Sequence, residues 1–95
     1  MLALFICFAE YKIAPEYAEA YIKLTEQLKK QYSKVNLYEG TDQPLLFVEV
    51  WSCASLEQAE QTKEERLSER SSWSPISEWI VGGRSKLHVW TFKPL

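Results

Sequence analysis

The sequence predicts an α+β domain in which one antiparallel sheet carries two helices, in the order strand, helix, strand, strand, helix, strand. Three observations lead there. Two runs, residues 2–8 (LALFICF) and 45–53 (LLFVEVWSC), are apolar on both parities of a period-2 chain, as strands covered on both faces are. Between them, Tyr17, Tyr21, Leu24 and Leu28 recur at helical spacing. Gly40-Thr41-Asp42-Gln43-Pro44, a cluster of turn residues, separates the second long run from a shorter one at residues 35–39 and marks a hairpin.

Each element then follows in order. The first strand, residues 2–12, stops where Ala14-Pro15 opens a helix, because proline lacks only an N–H that the first helical position leaves unpaired anyway. Over residues 15–32, Ala18, Ala20 and Ile22 widen the apolar stripe. Glu19 with Lys23 and Glu26 with Lys30 are favourably oriented i,i+4 pairs on the wet side. In the hairpin Val35 and Leu37 share a face, and residues 45–53 form the central strand. Ser55 stands three residues before Gln58, the spacing of a capping box, and starts a polar second helix over residues 56–71 anchored by Leu56, Ala59 and Leu67. Ser74-Pro75, serine as N-cap, restarts the chain as a short helix with Trp73, Ile76, Trp79 and Ile80 on one side. Gly82-Gly83 ends it. The last strand, residues 86–92 (KLHVWTF), has apolar groups on both faces.

This is the ferredoxin-like arrangement, with strand order 4-1-3-2, both helices on one side of the sheet, and the second helix broken near Trp73. The other side is bare. A sheet face of Leu, Val, Ile and Trp left in water is a patch larger than soluble monomers carry, so two copies are expected to pack sheet against sheet as a homodimer.

Composition narrows the function classes. At 95 residues the chain has the length of one domain, and 46% hydrophobic with 25% charged residues is an ordinary globular composition. A formal charge of −2 and no basic run longer than Lys29-Lys30 argue against nucleic acid as a partner. The apolar start lacks a basic leader and meets Glu10 and Lys12 well short of the ~18 residues a membrane span needs. A cytoplasmic protein is expected, with Cys7 and Cys53 as reduced, buried thiols. No C-x-x-C or other metal spacing is present, and no cofactor is expected.

The N-terminal strand, the amphipathic helix, the hairpin ending in V-E-V-W-S and the S-L-E-Q-A that opens the second helix together resemble the dimeric α+β barrel superfamily. They are closest in kind to its antibiotic-biosynthesis-monooxygenase type and NIPSNAP-like relatives. The resemblance spans nearly the whole chain as topology and residues 48–59 as motif. It implies cofactor-independent oxidation of an aromatic substrate, or haem degradation, or no reaction at all. Many members carry a histidine about seven residues after the serine that caps the second helix, and Thr62 stands there in this chain. The second helix has no histidine, which argues against a haem ligand.

A pocket is expected between sheet and helices near Trp73, apolar and aromatic-lined. Trp73, Trp51 and Trp79 are the candidate ligand contacts, although Trp51, Trp79 and Trp90 equally suit a core or a dimer interface. His88, the only histidine, and Glu49, mid-strand among apolar residues, are the candidate catalytic groups. Glu49 reads as a raised-pKa base, as a partner for Arg84, Lys86 or His88, or as a group reaching solvent. Two functions stay open: a small homodimeric monooxygenase-like enzyme in which His88 or Glu49 deprotonates an aromatic substrate for reaction with O₂, and a non-enzymatic dimer that binds a small apolar ligand or serves as a structural module.

Overall fold

The structure, a computed structural model, describes residues 4–95; Leu2 and Ala3 of the expected first strand lie outside them. Its strands are β1 (Phe5–Lys12), β2 (Val35–Glu39), β3 (Leu46–Cys53) and β4 (His88–Phe92), and its α-helices are α1 (Ala18–Gln31) and α2 (Leu56–Leu67). All pairings are antiparallel, in the order β2-β3-β1-β4, which is the expected ferredoxin-like sheet. In register Glu49 lies opposite Ala9 and Leu37, Trp51 opposite Cys7 and Val35, and Phe8 opposite Val50 and Trp90.

Both helices cover one face. Cys7, Ala9 and Tyr11 of β1, Phe47, Glu49, Trp51 and Cys53 of β3, and Val89 of β4 point beneath them and are buried. Cys7, Ala9 and Ala59 have no exposed surface; their small size lets α2 lie close across β1 and β3. Each large apolar side chain buried in this layer contributes roughly 1.5–3 kcal/mol.

Several boundaries differ from the sequence reading, each for a local reason. Pro15–Tyr17 forms a single 3₁₀ turn before α1 begins. Ile22 is exposed instead of widening the stripe, which is carried by Tyr21, Thr25 and Leu28. α2 stops at Leu67 because the serines that follow compete for the backbone: Ser68 Oγ accepts from the Arg70 N–H at 3.1 Å and Ser71 Oγ from the Trp73 N–H at 3.1 Å. The Arg84 guanidinium, donating to the Leu67 carbonyl at 2.6 Å, caps that end. Ser74–Trp79 is a 3₁₀ helix with Trp73 at the N-cap position and no side-chain cap, in place of the expected serine cap. Gly82 and Gly83 both take positive φ, near +85° and +83°, and a 3₁₀ turn at Arg84–Lys86 removes Lys86 and Leu87 from the last strand.

Candidate functional site

Beneath the helices β3 brings a carboxylate into the middle of the core. Period-2 alternation turns Glu49 toward α2 with Phe47, Trp51 and Cys53, and it has no exposed surface. On α2, Ala59 and Arg66 are two turns apart and face the sheet together, so the guanidinium arrives over the carboxylate. Arg66 Nε donates to Glu49 Oε1 at 2.7 Å and Nη2 to Oε2 at 2.8 Å, a bidentate pair with side-chain exposures of 1% and 0%. Trp51 Nε1 also donates to Oε1, at 3.0 Å, and the Tyr11 hydroxyl to Oε2, at 2.5 Å. Tyr21 extends the chain, its hydroxyl 2.8 Å from that of Tyr11.

The network is charge-balanced and saturated at Glu49, whose two oxygens accept two hydrogen bonds each. Burial, with the Glu49 charge adding to it, pushes the Tyr11 hydroxyl well above the usual tyrosine range, so the phenol stays a proton donor. Tyr21 is raised as well, by burial first, with its bond to Tyr11 partly opposing. For Arg66 burial alone favours loss of the proton, but the charge and hydrogen bonds of Glu49 outweigh it and raise the pKa above the ordinary arginine value. Burial pushes the Cys7 thiol up to about 12, with neighbouring Cys53 adding, which makes it inert.

One side of this network opens to a cavity. A space of about 70 Å³ is lined by Tyr32, Trp51, Thr62, Glu65, Arg66, Ser71 and Trp73. Tyr32, Trp51, Thr62 and Glu65 are shared with a wider cleft of about 410 Å³ between the end of α1, the end of β3 and α2. Three aromatic rings meet at the inner end: Trp51 and Trp73 are 5.2 Å apart, with Tyr32 at 5.6 Å from one and 5.8 Å from the other, all edge to face. The Arg66 guanidinium lies 5.4 Å from the centre of the Trp73 ring. Arg66 Nη1 and Trp73 Nε1, both buried, have no hydrogen-bond partner among the described residues. The cleft beyond is polar, with Gln31, Ser33, Lys34, Ser52, Gln58 and Gln61 along it. The expected apolar pocket is therefore apolar only at its inner end.

The residues singled out in the sequence fall in different places. Trp51 and Trp73 meet at the cavity. Trp79 lies elsewhere, stacked on Tyr17 at 6.1 Å. His88 is exposed on β4, stacked on Trp90 at 5.5 Å and paired in register with Glu10, on the sheet face opposite Glu49. Those two candidate catalytic groups thus share no site. The partners expected for Glu49, namely Arg84, Lys86 or His88, are corrected to Arg66, because β3 alternation points the carboxylate at α2. Arg84 instead meets Glu69 at the surface, 3.2 Å away. The anchors of α2 are corrected likewise: Leu56 and Leu67 are exposed, and Arg66 takes the buried place. Sequence reasoning missed Arg66, Tyr32, Glu65 and the Tyr11–Tyr21 pair. The signal was present, since a buried mid-strand carboxylate requires a cation and Ala59, Thr62 and Arg66 are spaced three and four residues apart. Both cysteines are free and buried, and Cys53 Sγ lies 3.7 Å from Thr62 Oγ1.

No family model matches the chain, and no curated protein matches it. Solved structures do. A conserved protein from Methanosarcina mazei Go1 superposes with a TM-score of 0.73 at 12% identity, over 99% of this chain and 95% of that one. A putative antibiotic biosynthesis monooxygenase from Nitrosomonas europaea gives 0.73 at 12% identity, over 100% and 93%. A NIPSNAP family protein from Agrobacterium tumefaciens gives 0.66 at 16%, over 100% and 89%. The chain has their fold. At these identities the likeness concerns the path of the backbone and not the chemistry of the cleft. Among the described residues no group of side chains suits a metal ion, and no helix is long and apolar enough to cross a membrane.

Proposed function

We propose that this protein is a homodimer that binds a small ligand in the cleft between α2, the end of α1 and the Trp51 side of β3. The observation that carries this reading is a cavity opening to a cleft and lined by Arg66 and Trp73, each of which has a buried N–H donor without a partner among the described residues. Buried donors are almost always satisfied, and each left empty costs about 1–3 kcal/mol, so a site that retains two is built for something that accepts them. Ligand binding raises the melting midpoint by mass action, and a thermal-shift screen of small polar aromatics is the test. Compounds that raise the midpoint and shift the signals of Trp51 and Trp73 support the cleft. A screen in which every stabilising compound leaves both tryptophans unmoved sinks it.

The second copy belongs on the open face of the sheet. Ile6, Phe8, Val48, Val50, Trp90 and Phe92 alternate onto that face, with Trp90 42% and Phe92 52% exposed in the single chain. Joining two such faces removes an apolar patch that isolated soluble chains seldom carry.

Oxidation of an aromatic substrate is the second reading, favoured by the fold shared with putative antibiotic biosynthesis monooxygenases. His88 lies across the sheet from the cleft, and both oxygens of Glu49 are occupied. The base in this reading is therefore Glu65, the carboxylate that lines cavity and cleft. O₂ uptake with anthrone- or quinol-type substrates, lost in Glu65→Gln, supports it; uptake at the protein-free rate removes it.

A further inference from the structure

The cavity's charge and its free donors restrict what the ligand carries at its inner end, and this step rests on the cleft being the binding site. The Arg66 charge is already balanced by Glu49 through two hydrogen bonds, while Glu65, an exposed carboxylate at the same cavity, forms no ion pair among the described residues. An anionic head group would enter a buried site that holds no surplus positive charge, at a large desolvation cost. A cationic head group would face Arg66 and leave both free N–H groups empty. A purely apolar group would leave them empty too. A neutral group with a carbonyl oxygen satisfies them. Donors are not the whole lining, because Glu65 and the Thr62 hydroxyl present acceptor oxygens to the same space. A group that both accepts and donates in one plane matches this set.

We infer that the inner cavity is a carboxamide site: the carbonyl oxygen of a neutral amide takes the free N–H groups of Arg66 and Trp73, and the amide N–H groups turn to Glu65 and Thr62. The space of about 70 Å³ suits such a head group, with the rest of the ligand extending into the polar cleft with which it shares Tyr32, Trp51, Thr62 and Glu65. The glutamines at 31, 58 and 61 and Lys34 offer that outer part donors and acceptors.

Benzamide, benzoate and benzamidine share one shape in three charge states and form the probe set. Each is titrated into ¹⁵N-labelled protein, with the indole N–H of Trp73 identified by its loss in Trp73→Phe. That variant removes a donor that has no partner in the protein, and its spectrum reports whether the fold persists. Benzamide is expected to shift the Trp73 indole signal and to bind at least tenfold more tightly than either charged analogue. Trp73→Phe is expected to weaken benzamide about fivefold to tenfold, as loss of one neutral hydrogen bond does. Benzoate or benzamidine binding as tightly as benzamide overturns the carboxamide assignment, and so does unchanged benzamide affinity in Trp73→Phe. If the side-chain amides of Gln58 and Gln61 respond while the Trp73 indole does not, the assignment falls and the cleft survives. If no signal of cavity or cleft responds to any of the three, the cleft falls with it.

Discussion

The two faces of the sheet invert the usual placing of side chains. On the face beneath the helices, a carboxylate, a guanidinium and two phenols are buried in one connected network. On the open face Phe8, Val50, Trp90 and Phe92 meet solvent in the single chain, with Phe8 6.0 Å from both Trp90 and Phe92. The covered face gives up apolar contact to hold a charge pair in a fixed place, and Arg66 of that pair lines a cavity with Trp73. The open face invests in apolar surface with no cover of its own. On the reading proposed above, each departure from the ordinary pattern marks a place for something other than this chain's own core.

Breaking the covered face has the largest expected effect. Arg66→Met leaves Glu49 buried without its cation and is expected to lower stability by about 3–5 kcal/mol. Pairing it with Glu49→Gln, which keeps a carbonyl oxygen for the Trp51 N–H and sets an NH₂ that can donate to the Tyr11 hydroxyl, is expected to recover at least half of that loss, as read by urea unfolding. A double variant no more stable than Arg66→Met alone would show that packing of the arginine stem, and not the charge pair, carries the cost. On the open face, Val50→Glu sets a carboxylate beside Phe8 at the centre of the proposed subunit contact. The dissociation constant of the pair is expected to rise at least a hundredfold by sedimentation, with the fold of each subunit intact. An unmodified protein that sediments as a single chain at micromolar concentration would end that half of the comparison.

Alkaline pH probes the covered face without a substitution. Cys7, Tyr11 and Tyr21 all hold their protons more tightly folded than unfolded. The folded chain therefore binds more protons than the unfolded one once pH approaches the ordinary values of these groups, 9.0 for the thiol and 10.0 for the phenols. Stability is complete below about pH 9 and falls as pH rises through the window above it. The urea midpoint is expected to decline steadily between about pH 9 and 12, and the decline to be shallower in Tyr11→Phe.

The contrast between the faces was unequally legible in the sequence. Periodicity and turn residues gave the strand order and the bare face because both rest on local chemistry: Pro15 at a helix start, residues 40–44 at a turn, Ser55 at a cap whose hydroxyl accepts from Gln58 N at 3.2 Å. The buried network was half visible. Glu49 stood out as a carboxylate among apolar neighbours, but its cation came from a helix whose charged residues all look solvated. Only the packing of α2 selects Arg66 from Lys63, Glu64 and Glu65 around it. His88 drew attention through its chemistry alone, and strand parity sets it on the far face. Tyr32, four residues past Leu28, is expected to end the first helix, but α1 stops at Gln31 and the Tyr32 ring meets Trp51 and Trp73.

The smallest expected effect lies at the far end of the network and sharpens what holds it. Tyr11 donates to a charged oxygen, whereas Tyr21 reaches the carboxylate only through Tyr11. A hydrogen bond to a charge is worth about 1.5–3 kcal/mol and one between neutral groups about 1, so Tyr11→Phe is expected to cost about twice as much as Tyr21→Phe in urea unfolding. The two losses should not add. With Tyr11 already phenylalanine, the Tyr21 hydroxyl has lost the partner that orders it, and its removal is expected to cost less than about 0.5 kcal/mol. Additive losses would mean that the Tyr21 hydroxyl contributes independently of Tyr11, since Tyr21→Phe keeps the ring contact with Phe47, 4.2 Å between centres. The polar network would then end at Tyr11, and only Arg66, Trp51 and Tyr11 would fix the carboxylate beneath the cavity.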